Sequence, residues 1–297
     1  MLFARGQVIC GPVSYASSIC AERAFQLYVV ERRGSVWDTR LVGARRRREA
    51  RARPTLWILL DGWVRFHAEG APSVEAPAAA ASASPPLDGP VEGTGATLSA
   101  GGEPFSALQL SVDADRWTGP IGGATTPIAA SPALVDAARA VLEAADDAAA
   151  LGSAASFVSR CAEAGLVRAE LAGSIVAEEP AALRRTWAAI APSYLTVSTA
   201  PTLQELADRA GVSLRQMARD LEGALATFGF SWRGLRDVSS DMRLRWAILL
   251  LSNDAIPIAD VASAACYGST AALDRALRDA GLGSPSELRR TIRASVV

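Results

Sequence analysis

The 297-residue chain has no lysine, one histidine, four cysteines, few aromatics (6%) and almost no net charge (−1). With His67 as the only imidazole, no site can be built from several histidines, and no serine or cysteine nucleophile has a second one to borrow. A surface or hydrogen-bonded role for His67 is the commoner alternative to catalysis. Cys10, Cys20, Cys161 and Cys266 form no CxxC pair and no zinc-ligand spacing, so they read as reduced, small apolar residues. No GxxxxGK[ST] phosphate loop occurs, and Gly101-Gly102 and Gly122-Gly123 read as turns. No apolar run approaches the roughly 20 residues that span a bilayer, and the N-terminus lacks the pattern of a secretory leader. The expectation is a cytoplasmic protein without membrane segments, catalytic residues, cofactor or metal. The missing lysines reflect base composition and carry no functional weight.

Half the residues are hydrophobic, enough for two domains with real cores. Charge is segregated: residues 1–70 hold 12 arginines against 6 acids, and residues 201–297 hold 12 against 11. The densest basic run, Arg45 to Arg53, reads as a solvated loop or protected strand edge before it reads as a nucleic-acid contact.

Residues 24–67 alternate in short apolar runs, including Phe25 to Val30, Val36-Trp37 and Trp57 to Leu60. Asp61-Gly62 before Trp63 to His67 predicts a β-hairpin. Residues 71–104 are rich in Pro, Ala, Gly and Ser and predict a long loop without regular elements. Phe105 to Val112 predicts another strand. Trp37, Trp57, Trp63 and Trp117 pack a β core or line an effector pocket. From Ser131-Pro132 to about Leu151-Gly152 the period becomes helical and predicts one helix of about five turns. Further helices are expected at about 154–164, ended by Gly165, and at about 180–190. Asp146-Asp147 and Glu178-Glu179 read as helix-surface acids.

The last hundred residues contain an internal repeat. Leu203, Leu206, Ala207 and Ala210 mark one helix, Gly211-Val212-Ser213 a turn, and Met217 and Leu221 the inner face of a second helix. Ile258, Val261, Ala262 and Ala265 repeat the first set 55 residues on; after Cys266-Tyr267-Gly268, Leu273 and Leu277 follow at an offset of 56. Ala207 and Ala262 permit close helix approach, Gly211 suits a left-handed helix end, and Ser213 is placed to cap the next helix. Arg215, Gln216 and Arg219 then fall on the outward side. Between the two units, Arg243 to Leu251 has the pattern of a mostly buried helix, stopped by Ser252-Asn253-Asp254.

This arrangement resembles the AraC-type family of bacterial transcription regulators. The resemblance runs from about Thr202 to Arg290 and includes Arg243-Leu244 with Ala247 and Leu250-Leu251, Ile258 to Ala262, Arg275 with Arg278, and Ser284 to Arg289. It implies an α+β chain. Residues 1–190 would form a cupin-like sensing and dimerisation domain with a helical end, 191–200 a linker, and 201–297 two helix-turn-helix units joined by a linker helix. It further implies that Ser213, Arg215, Gln216, Arg219, Ser269, Thr270, Arg275 and Arg278 meet double-stranded promoter DNA, with Ser213 capping towards a phosphate. RNA polymerase is implied as a partner, with homodimerisation through about 133–150 and an optional small-molecule effector in the β domain. Where the family has Gly-Phe in its second turn, this chain has Cys266-Tyr267. A left-handed non-glycine residue there costs roughly 1–2 kcal/mol unless Gly268 takes over the position. Asp220, Glu222, Asp274 and Asp279 beside the arginines motivate a second reading, a divergent member that binds a ligand or a protein with weak or no DNA binding.

Overall fold

The computed structural model describes residues 2–35, 53–67, 74–84, 97–99, 103–121, 126–174, 179–196, 200–230 and 232–296. Val36-Trp37, the basic run up to residue 52, both glycine pairs and Glu178 lie outside them. The fold class is α+β, as expected: an antiparallel β domain followed by helices. Among the described residues no helix is long and apolar enough to cross a membrane.

Ten strands are described: β1 (Leu2–Cys10), β2 (Val13–Ala21), β3 (Phe25–Arg33), β4 (Thr55–Asp61), β5 (Trp63–His67), β6 (Val74–Pro77), β7 (Ala81–Ser84), β8 (Thr97–Ser99), β9 (Phe105–Val112) and β10 (Thr126–Ile128). Seven form one antiparallel sheet in the order β1-β2-β3-β9-β4-β7-β10, and three form a second in the order β6-β5-β8. One face of the large sheet is apolar at every second position, with Phe25, Leu27 and Val29 on β3, Leu56, Ile58 and Leu60 on β4, and Leu108, Leu110 and Val112 on β9. That alternation is what a half-covered sheet requires. Helices α1 (Pro132–Leu142), α2 (Asp147–Glu163) and α3 (Glu170–Ser174) cover it through Leu134, Ala138, Val141, Phe157, Val158 and Cys161.

Four sequence expectations change. The hairpin predicted at Asp61-Gly62 does not form: β4 pairs with β9 and β7, β5 with β6 and β8. Gly62, at φ 82°, is the corner where the chain leaves one sheet for the other, and a Cβ there would lie 2.8 Å from the Pro104 carbonyl oxygen. The actual tight hairpin joins β1 and β2, with Cys10 opposite Val13, in a segment where no strand was expected. The loop expected over 71–104 carries β6, β7 and β8; on β7, Ala81, Ser82 and Ala83 are small enough to lie buried between β4 and β10. The helix expected over about 133–150 is two, because the Asp146 side chain accepts from Ala149 N–H at 2.8 Å and starts α2 anew. That bond makes Asp146 a cap rather than a plain surface acid.

The remaining helices are α4 (Ala181–Ile190), α5 (Leu203–Ala210), α6 (Leu214–Thr227), α7 (Leu235–Leu251), α8 (Ile258–Ala264), α9 (Thr270–Asp279) and α10 (Pro285–Val296). They pack on the other face of the large sheet at β1 and β2. Leu2, Ala4, Ile19 and Ala21 pack there with Trp187 and Phe228, while Val13 joins the core of α7 to α10. Farther along that face Leu59, Phe105 and Ala107 pack with Val64 of β5.

Candidate functional site

The repeat read in the sequence exists in the backbone bond by bond. At the end of α5, Gly211 N–H donates to Asp208 O at 3.2 Å and Val212 N–H to Ala207 O at 3.0 Å. At the end of α8, Cys266 N–H donates to Ser263 O at 2.9 Å and Tyr267 N–H to Ala262 O at 2.8 Å. Both helices therefore end with the same pair of bonds and a left-handed residue, Gly211 at φ 65° and Cys266 at φ 57°. Gly268 does not take over the left-handed position; it is the extra residue that changes the offset from 55 to 56. Each following helix is capped by a serine: Ser213 Oγ accepts from Gln216 N–H at 3.2 Å, and Ser269 Oγ from Ala272 N–H at 3.1 Å.

On α6, Met217, Leu221, Ala224 and Leu225 are buried, which turns Arg215 and Arg219, four residues apart, to solvent. On α9, Leu273 and Leu277 are buried and Arg275 and Arg278 are exposed. Ser213, Ser269 and Thr270 lie exposed at the starts of these helices, and a shallow depression beside the second turn is lined by Ser263, Cys266, Tyr267, Gly268, Ser269 and Thr270. Gln216 departs from the outward expectation. It is half-buried, and its Nε2 donates to Asp220 Oδ1 at 2.6 Å. Two acids singled out in the sequence are neutralised: Asp220 by Arg185 at 3.3 Å and Asp274 by Arg278 at 2.9 Å.

Two features of this surface escaped the sequence reading. Leu214, the first residue of α6, is 47% exposed, unusual for a large apolar side chain beside a cap. Arg185 comes from α4, which packs on α5 and α6 and so belongs spatially to the first helix pair. The sequence predicts a helix at about 180–190 but does not say what it packs against.

The β domain grips both pairs. Gln26 Nε2 donates to the carbonyl of Phe228, the residue closing α6, at 2.6 Å, and an Arg53 terminal N–H donates to the same oxygen at 3.2 Å. Arg53 also donates to Asp113 Oδ1 at 2.8 Å and to the Arg23 carbonyl at 3.0 Å, so this end of the basic run is a buried structural arginine. On the other side, Asn253 Nδ2, just past α7, donates to the Gly34 carbonyl at 2.6 Å.

A second candidate surface lies on the face of the large sheet away from α1 to α3, between the helix-covered β1 and β2 and the second sheet, where Tyr28, Gln109 and Trp57 are cross-strand neighbours, all half-buried. Beside them Arg32 is buried 4.6 Å from the Phe105 ring, and burial pulls its guanidinium down to about 9. Trp117 packs the core instead, and the side chain of His67, at the end of β5, lies outside the described atoms.

No protein-family model and no curated protein matches the chain. Among solved structures, an apo point variant of ToxT from Vibrio cholerae is similar over 92% of this chain and 99% of its own, at 10% identity and TM-score 0.35. Unsaturated fatty acid-bound wild-type ToxT is similar over 91% and 96%, at 9% identity and TM-score 0.33. A cupin superfamily protein from Desulfitobacterium hafniense is similar over 36% of this chain and 82% of its own, at 13% identity and TM-score 0.24. At such identities and scores these likenesses carry no argument about chemistry.

Proposed function

We propose that the chain is a sequence-specific, DNA-binding transcription regulator without enzymatic turnover. The observation that supports this reading best is the duplicated helix-turn-helix geometry, with matching helix ends and serine caps, that leaves Arg215 and Arg219 on one helix and Arg275 and Arg278 on its counterpart exposed. Exposed arginines on such helices suit guanine edges in the major groove, and capped helix starts suit phosphates. In the remaining parts of the proposal, two copies associate through α1 and the start of α2, RNA polymerase is the partner at the promoter, and a small molecule binds over Tyr28, Gln109 and Trp57.

The test is a mobility shift with DNA from upstream of the chain's own gene, at low and physiological salt. Wild type shifts it, and Arg215→Ala with Arg219→Ala weakens binding at least about 30-fold, since one good arginine–base contact is worth roughly 1–3 kcal/mol. Equal affinity for all sequences at every salt concentration overturns the proposal. The tie of Arg278 to Asp274 favours one alternative, a divergent module that binds a ligand or a protein and reads DNA weakly or not at all. In that case the arginine substitutions leave every shift unchanged.

A further inference from the structure

Asp220 is out of place on a helix meant to approach a polyanion. It is also well enclosed, with its side chain 12% exposed against 34% for Asp274 on the other reading helix. Its two oxygens are divided: Oδ1 accepts from Gln216 Nε2 at 2.6 Å, and Oδ2 lies 3.3 Å from an Arg185 terminal nitrogen. Guanidinium, carboxylate and amide thus form a chain along the side of α6 that faces α4. An uncompensated carboxylate there would sit within a Debye length, about 10 Å, of the phosphates of a bound duplex. Arg185 cancels that charge from outside the helix-turn-helix pair.

We propose that Arg185 is a positioning residue of the first DNA-reading helix: it neutralises Asp220 and through it fixes Gln216, so that Asp220 does not subtract from the charge that Arg215 and Arg219 present to DNA. This rests on the DNA-binding reading above. Its own content is that Arg185 acts through Asp220 rather than by touching phosphate.

The experiment is a double-mutant cycle on the full chain, with wild type, Arg185→Ala, Asp220→Ala and the double variant titrated onto the upstream fragment by fluorescence anisotropy at several salt concentrations. Removing Arg185 is expected to weaken binding about tenfold when Asp220 is present and less than threefold when it is absent. Asp220→Ala alone binds as well as wild type or more tightly. An equal loss in both backgrounds, with the salt slope reduced by about one in each, makes Arg185 a direct phosphate contact and overturns the proposal. No loss in either background overturns it too. If wild type binds no DNA at any salt, the DNA-binding reading fails first and this inference with it. Melting midpoints of all four proteins control for folding, and Arg185→Gln, which keeps a polar side chain on α4, repeats the cycle should Arg185→Ala melt early.

Discussion

Cys266 holds a left-handed backbone at φ 57° where its counterpart, 55 residues earlier, is Gly211. A Cβ in that region crowds the following carbonyl, so Cys266→Gly is expected to stabilise the chain by about 1 kcal/mol, read as a higher urea midpoint at unchanged slope. Gly268→Ala, at a glycine without positive φ and with open space around its Cα, should change little. The sequence made Gly211 legible because a glycine at a helix end has one common reason to be there. It left Cys266 and Gly268 as alternatives, since only the backbone tells which residue bends. Arg53 was illegible for another reason. Within a run of arginines nothing distinguishes the one that meets Asp113 and the Phe228 carbonyl, and both partners are distant in sequence. Two of the four thiols are buried apolar residues, as expected, and two are not: burial raises Cys20 to about 12 and raises Cys161 further, so both should resist alkylation in the native protein while Cys10 and Cys266, only partly buried, react first.

Two helices begin with the same reciprocal cap. Thr202 and Glu205 close it at α5, where Glu205 Oε2 accepts from Thr202 N–H at 2.6 Å, and Ser284 with Glu287 closes it at α10 at 2.7 Å. The backbone N–H and the hydroxyl hold both carboxyls below their ordinary value of 4.5. A folded-state value below the unfolded one means stability that is full above about 4.5 and lost as pH falls through the lower folded values. The melting midpoint of wild type should therefore drop more steeply between pH 5 and pH 3, in round numbers, than that of Glu205→Gln with Glu287→Gln; parallel curves would remove these caps as a source of acid sensitivity. Helical elements were the more legible ones, because caps and a period of 3.6 are local. Strands were less so. β1 and β2 mix Arg5, Gly6, Gln7, Ser14, Ser17 and Ser18 into their alternation, since much of what covers them comes from α4 and the C-terminal helices. The Asp61-Gly62 signal marked a real turn, but local chemistry does not say whether the strands beside it pair with each other.

At the scale of the molecule, the β domain and the C-terminal helices share their cores. Phe228 sits between Leu2, Ile19 and the Trp187 ring, and Val13 joins Leu250 and Leu277. The chain should unfold in one transition by both tryptophan fluorescence and far-ultraviolet circular dichroism. Arg53→Ala, which removes the guanidinium from Asp113 Oδ1 and a donor from the Phe228 carbonyl, is expected to cost about 3 kcal/mol and to pull the two signals apart. Coincident, unshifted transitions would show that the grip on Phe228 is incidental. None of this coupling was legible, because the bonds from Gln26 and Arg53 to Phe228 and from Asn253 to Gly34 each cross more than a hundred residues of sequence. The two grips also lie at opposite ends of one element. Gln26, near the start of β3, holds the first helix pair, and Gly34, just past its end, holds the second. Eight residues at about 3.3 Å each separate them by about 26 Å, so β3 sets the distance between the two points at which the β domain holds the helix pairs. Under the proposed function, β3 and the linker helix α7 brace the two units from opposite sides, so that one chain meets two successive turns of the major groove at a spacing held by both.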